Sequence, residues 1–311
     1  MSHPVTSMSF SRDSRVLAEV ARVAGTDGVE FAGEMPHGES RSTFIVAAGA
    51  EQLVVKVAPG GPSALENQER LVRLVVALRS KGYPAPEYLG AGQADGVAFT
   101  VQRLLPGKTL DPVPGQELFS ALLPDLLAAI ELQAGAGDLA EPPWPGWLLD
   151  TIDAGGDGYC LHETMRRARG TTLLLDRLQD LARRNRDLPG RRGDVVHFDM
   201  NPANILHEGA RLSGVVDWNM PFTGACQGDR GFDVATLLFY SYDLPATRET
   251  LWEHATRISG IGWTTVYLCH LSLRQVEWVR RHYPGTPAET RFTGIAWTIL
   301  DDCEARGGAS A

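Results

Sequence analysis

The stretch Val195–Leu206, VVHFDMNPANIL, sets His197, Asp199 and Asn204 within eight residues between two apolar runs. A loop that offers a carboxylate and, five residues later, an amide oxygen can serve two parts of one reaction. Asp199 can accept a hydroxyl proton or orient the hydroxyl for attack, and Asn204 can give its side-chain oxygen to a hard cation such as Mg²⁺. Pro202 stiffens the turn between them, and His197 is read as holding the loop backbone. Thirteen residues after Asn204, Asp217 ends the apolar run LSGVVDW. A carboxylate there is poorly placed for plain solvation and well placed to hold a metal that bridges phosphate oxygens.

Two further features join this set. Lys56 sits in LVVKVAP with valines on both sides. A buried ammonium requires a partner, and a phosphate together with Glu69 or Glu66 of the following helix would supply one; Glu69, nearer the helix centre, is preferred. In GDRGFDVATLLF, Asp229 and Asp233 are four residues apart at a helix start, where carboxylates gain from the helix dipole. Asp233, just before an apolar run, is assigned a buried role bonding the catalytic loop. Asp229 is read as a candidate for reaching a cationic substrate.

The elements that must position these groups follow from periodicity and turn signals. SRVLAEVARVAG (14–25) has helical spacing, a Ser start and a Gly stop. The runs within 42–59 form a hairpin around AGAE. Residues 63–82 are a long helix in which Ser63 and Glu66 match a capping box. After YPAPEYLG come two strands around an ADG turn, ending near Arg103. LPGKTLDPVPG (105–115) is a Pro/Gly-rich connector. Beyond it, helices are expected at 116–135, about 161–185, 230–241, 246–259, 263–282 and 287–306. Short strands are expected within 194–217, and EPPWPGW (141–147) reads as a rigid aromatic loop. The expected fold class is α+β: an N-terminal antiparallel sheet with one key helix (1–104), a connector (105–109) and a mainly helical second lobe (110–311).

Composition narrows the function. The chain of 311 residues is 43% hydrophobic and 22% charged, which suits a globular protein. Its net charge is −9. The acidic excess lies almost wholly after residue 105, with −1 before it and −8 after it. That distribution argues against nucleic acid and anionic membrane as partners and would attract a cationic small molecule. No apolar run reaches membrane-spanning length, and no secretory leader is evident in MSHPVTSMSFSRDSR, so a cytoplasmic location is expected. The four cysteines show no CxxC or zinc-ligand spacing and read as reduced thiols.

A strand Lys, a helix Glu, His-x-Asp-x4-Asn and a strand-end Asp-Trp together resemble the aminoglycoside phosphotransferase (choline kinase-like) branch of the protein-kinase-like two-lobed fold. The matching residues are Lys56, Glu69 (or Glu66), HFDMNPANIL and VVDW, with GDRGFDVATLLF similar to the segment that follows the metal Asp. The resemblance implies transfer of the γ-phosphate of ATP or GTP to a hydroxyl of a small molecule. It puts Asp199 at the catalytic-base position, Asn204 and Asp217 at the Mg²⁺ positions, and Lys56 at the α/β-phosphate position. VQRLLPGKTL looks like the family's hinge, where Gln102 to Leu104 would meet the adenine edge. The phosphate-covering loop EMPHGESRSTF lacks GxGxxG, and Gly38, Ser40 and Ser42 are its candidate donors. Phe198 also departs from the family, where HGD is commonest.

The acidic second half favours a cationic antibiotic, an aminoglycoside or a basic peptide, as the acceptor, with resistance as the outcome. Glu163, Asp229, Asp243 and Glu253 are candidate ammonium partners. The alternatives are a metabolic kinase for choline, homoserine or a sugar, or a macrolide kinase. Trp144, Trp147 and Trp263 would suit a choline-like cation. A non-catalytic nucleotide-binding scaffold is disfavoured by the intact Lys, Asp, Asn, Asp set. A monomer or homodimer is expected.

Overall fold

A computed structural model describes residues 14–35, 42–58, 61–140, 142–219 and 226–308. The chain divides into two units: one runs to Lys108 and takes in the stretch from Ile205, and the other comprises Thr109–Asn204 and the chain from Cys226 onward. The second lobe is therefore not the contiguous 110–311 that the connector suggested. The strands and Asp-Trp after residue 204 belong with the first unit.

The first unit is built on a five-stranded antiparallel sheet with strand order β1-β2-β3-β5-β4. The strands are β1 (Glu30–Glu34), β2 (Thr43–Ala48), β3 (Glu51–Ala58), β4 (Tyr88–Ala94) and β5 (Val97–Arg103). β1 was not assigned from sequence; it contains Gly33 and buries none of its residues fully. The turn between β4 and β5 places Asp95 and Gly96 at φ 46° and 80°, the left-handed pair a tight hairpin requires. Helix α1 (Ser14–Ala24) packs Val16 and Val20 against Phe44, Val46, Leu53, Val55, Phe99 and Val101. Side chains alternate along a strand, so Val55 on this face puts Lys56 on the other, opposite Thr43 and Thr100 in register. Helix α2 (Ala64–Ser80) packs on β4 and β5.

The same unit holds the hairpin of β8 (Ile205–Glu208) and β9 (Arg211–Val215). It is tied down by Val215 N donating to Pro84 O at 2.7 Å and Ser213 Oγ to Pro106 O at 3.0 Å. Trp218 packs edge-on to Tyr83, 5.4 Å between ring centroids. A two-residue strand β6 (Lys108–Thr109) marks the connector.

The second unit is helical. It comprises α3 (Gln116–Glu131), α4 (Gly146–Ala154), α5 (His162–Met165), α6 (Arg169–Arg184), α7 (Gly231–Tyr240), α8 (Pro245–His282) and α9 (Pro287–Gly308), with β7 (Asp194–Val195) paired to β10 (Gln227–Gly228). Helix α4 follows directly from the Pro/Trp segment that read as a loop. The helix expected over 161–185 is interrupted between Met165 and Arg169. The two expected helices 246–259 and 263–282 meet at Gly260, whose φ of 77° and ψ of 158° break α8 there. Among the described residues no helix is long and apolar enough to cross a membrane.

The backbone at Gly260 lies in a region that essentially only glycine occupies. Gly260→Ala is expected to destabilise the protein by about 1–3 kcal/mol, measured as a lower midpoint in chemical denaturation. Nothing lies within 4 Å of the added Cβ, so a loss there reports backbone strain and not a clash.

Candidate active site

Asp233, in the first turn of α7, is fully buried. Its Oδ2 accepts from His197 N at 2.8 Å and from Gln133 Nε2 at 2.9 Å, and its Oδ1 accepts from Phe198 N at 3.0 Å. Burial pushes its carboxyl above the usual range, opposed by His197 and these donors. The His-x-Asp loop thus hangs by two consecutive peptide N–H groups from one carboxylate. The sequence reading expected Asp233 to bond this loop, and its bonds here go to His197 N and Phe198 N. His197 in turn accepts from Asp199 N through Nδ1 at 3.3 Å, closing the turn.

Phe198 adopts φ 67°, a conformation glycine takes freely and a bulky residue does not. Phe198 is held there by its bond to Asp233 and by an aromatic cluster. Its ring centroid lies 5.5 Å from Trp144, 5.9 Å from Trp147 and 5.8 Å from Phe232. Asp217 is also at positive φ, 66°, as are Asp95 and Cys160. Strained backbone of this kind concentrates at functional sites.

Asp199 is held at both oxygens. Arg274 Nη2 donates to Oδ1 at 3.0 Å, while Arg274 Nη1 donates to Phe198 O at 3.0 Å. Asn204 Nδ2 donates to Asp199 O at 2.8 Å and to Oδ2 at 3.3 Å. The Asn204 amide nitrogen is therefore committed to Asp199, and its oxygen is the atom left to act as a ligand. In the first unit, Lys56 forms an ion pair with Asp217 Oδ1 and donates to Trp218 O at 3.4 Å. The Lys56 side chain is 13% exposed and that of Asp217 is 41% exposed, so the carboxylate can reach a ligand while the ammonium stays in the sheet. An amide oxygen and a half-exposed carboxylate are the hard donors that Mg²⁺ takes, so the residues present fit that ion.

Several expectations change. Glu66 and Glu69 are both exposed, and among the described residues the ion-pair partner of Lys56 is Asp217. The reason is helical phase. The inward stripe of α2 runs through Ala64, Gln68, Leu71, Val75 and Leu78, and position 69 is rotated about 100° from Gln68. Ser63 makes no capping bond. Gln102 is buried near the end of β5 and Leu104 is exposed just beyond it, its N–H bonded to Gln52 O at 3.3 Å. Ser42 is half-buried and its carbonyl accepts from Val57 N at 2.8 Å. Ser40 and Gly38 lie outside the described residues.

The residues expected to receive a cationic substrate fare differently from one another. Asp229 is completely buried, accepting from Tyr267 Oη at 2.8 Å and Gly231 N at 2.9 Å. It is a structural carboxyl and cannot reach a substrate. Asp243 pairs with Arg291 at 2.7 Å, and Glu163 is within 3.8 Å of Arg167. Glu253 is exposed. Trp144 and Trp263 are core residues, the latter donating to Pro189 O at 3.1 Å, and Trp147 is half-buried.

Arg274 was missed from sequence. The available signal was a polar stripe in the apolar helix α8: Tyr267, His270, Arg274, Glu277 and Arg281 recur at steps of three and four, which places them on one face. Arg230, bonded to Asp194 at 3.0 Å and Glu131 at 2.9 Å, was also missed. It sits beside two aspartates that drew attention first.

Removing the Asp233 carboxylate would orphan two buried N–H groups of the loop. Asp233→Ala is expected to lower stability by about 3 kcal/mol or more, and urea denaturation with a two-state fit checks it.

Comparison with known proteins completes the picture. A model of the phosphotransferase enzyme family (APH) matches residues 33–268. Hygromycin-B 4-O-kinase from Escherichia coli is 28% identical over 173 residues, 52% of this chain and 49% of that protein. The chain thus aligns with about half the length of this curated relative. Among solved structures, a thermostable mutant of aminoglycoside phosphotransferase APH(4)-Ia in ternary complex with AMP-PNP and hygromycin B superposes with a TM-score of 0.65. It is 19% identical, covering 95% of this chain and 99% of that one. Choline kinase LicA from Streptococcus pneumoniae gives 0.57 at 17% identity, covering 92% and 98%. At these identities the structural likeness speaks for the fold, which is the protein-kinase-like arrangement of an antiparallel sheet unit and a helical unit. With a family model matching most of its length, the chain belongs to the phosphotransferase enzyme family.

Proposed function

We propose that the protein transfers the γ-phosphate of ATP or GTP to a hydroxyl of a small molecule, with Mg²⁺ as the metal. The observation that carries this reading is the Asp199–Asn204 arrangement: a base and an oxygen ligand fixed to each other, on a loop suspended from Asp233. In the reaction the acceptor oxygen forms a bond to the γ-phosphorus as the bond from phosphorus to the β,γ-bridging oxygen breaks. The hydroxyl proton passes to Asp199. Lys56 offers its charge to the α/β-phosphates, and Asn204 and the half-exposed Asp217 that pairs with Lys56 are the residues that would hold the metal. Mg²⁺ held by these oxygens would neutralise the charge that develops on the phosphates. Gln102 to Leu104 are assigned to the adenine edge and Ser42, with Ser40, to the phosphates. Phosphoryl transfer depends mainly on positioning and charge neutralisation, so this set suffices.

For the acceptor, two readings are open to test. The relative that phosphorylates hygromycin B supports an aminoglycoside and a resistance role. The second reading, a kinase for a metabolic hydroxyl compound, is favoured by the burial of Asp229 and by the Arg274 cation on Asp199.

Asp199→Asn is expected to reduce turnover by roughly 10²–10⁴-fold with nucleotide affinity nearly unchanged, assayed by nucleoside diphosphate release and by nucleotide titration. Retention of the wild-type rate would remove Asp199 from the base position. Asp217→Ala is expected to raise the Mg²⁺ concentration needed for half-maximal rate; an unchanged requirement removes Asp217 from the metal site.

A further inference from the structure

Arg274 lies at the centre of the polar stripe of α8, and three observations define the charge an acceptor meets beside Asp199. First, Arg274 is the fixed cation of that stripe. His270 is buried against Trp147 and Phe232, with ring centroids 5.4 Å and 5.7 Å away, and its pKa is pushed down to about 3, chiefly by burial and further by Arg274. It is therefore neutral at physiological pH. Arg281, two turns on, is occupied by Glu277 at 3.0 Å and by Gly158 O at 2.9 Å. Second, each carboxylate oxygen of Asp199 already accepts one hydrogen bond: Oδ1 from Arg274 and Oδ2 from Asn204. Third, of the four acids that would draw a polycation, Asp229 is buried, Asp243 is paired with Arg291 and Glu163 has Arg167 beside it, which leaves the exposed Glu253.

We propose that Arg274 selects the acceptor by charge: the acceptor carries a carboxylate or phosphate beside its reacting hydroxyl, and that anion engages the Arg274 guanidinium. The guanidinium presents two parallel N–H groups to Phe198 O and Asp199 Oδ1, the fork geometry that a planar or tetrahedral anion also satisfies. An arriving anion takes over the donor now given to Asp199. Oδ1 is thereby released to accept the hydroxyl proton as the acceptor oxygen bonds to the γ-phosphorus and the nucleoside diphosphate leaves. An ammonium near the hydroxyl would instead face Arg274 with like charge, and Oδ1 would keep its bond to Arg274. Half-buried Trp147, its ring 6.5 Å from Tyr159 and 5.9 Å from Phe198, offers an aromatic wall close to this loop. This inference rests on the assignment of Asp199 as the base.

The test compares three acceptors of matched size: a hydroxy acid, a neutral polyol and an amino alcohol. Turnover is followed by nucleoside diphosphate release and binding by calorimetry. The wild type is expected to favour the hydroxy acid over the amino alcohol by about tenfold or more in kcat/KM. Arg274→Gln is expected to abolish that ranking, mainly through KM for the anionic acceptor, with nucleotide KM unchanged. Arg274→Lys is expected to keep part of the preference, and methylguanidinium added to Arg274→Ala to restore part of it. A wild type that binds the amino alcohol equally well or better overturns the proposal, as does an Arg274→Gln variant with unaltered ranking. Should Arg274→Gln fail to fold, the wild-type ranking and the Lys variant decide. Failure of the underlying reading is separate: it appears as Asp199→Asn retaining turnover with every acceptor.

Discussion

A single buried carboxylate, Asp233, carries the geometry of the His197–Asn204 loop. It accepts two consecutive peptide N–H groups, from His197 and Phe198, and an amide N–H from Gln133 of the segment after α3. A charge without water at this depth is costly unless hydrogen bonds replace its hydration. The structure meets that condition with groups belonging to the loop that must be fixed. The same bonds involve Phe198, which sits at a positive φ, and on the same loop Asn204 donates to Asp199. The packing of Phe198 among Trp144, Trp147 and Phe232 offsets strain that glycine would not incur.

From that anchor the second unit extends as a set of buried polar contacts. Asp229, four residues before Asp233, bonds Tyr267 of α8. One stripe further along α8, Arg274 bonds Asp199. Asp194 and Arg230 join β7 to the start of α7. Some of the acids of the second half are thus buried or paired with arginines, Asp229 and Asp243 among them, while others, such as Glu253, are exposed.

The candidate site was proposed from sequence on local spacing. His-x-Asp-x4-Asn fits one loop, and a strand-end Asp after an apolar run stays at its strand end in any packing. Asp233 was legible because a carboxylate before an apolar helix has to find donors nearby. The pairing of Lys56 was not legible. It required knowing which face of α2 turns inward, and the phase set by Ala64, Gln68 and Leu71 leaves Glu66 and Glu69 in solvent. Asp229 failed as a substrate residue for a related reason: burial is a property of what packs around a residue, and Tyr267 lies 38 positions away.

The sequence by itself therefore determined the α+β class and the hairpins with their turn residues, because periodicity and turn chemistry act over a few residues, and it singled out Lys56, Asp199, Asn204 and Asp217 as the groups proposed for the site. The tertiary structure alone decided which charges meet. Lys56 is joined to Asp217 across 161 positions, and Asp199 is joined to Arg274 across 75. Ion pairing depends on distance in space, and a sequence records the charges without recording which of them the packed helices and strands bring within reach.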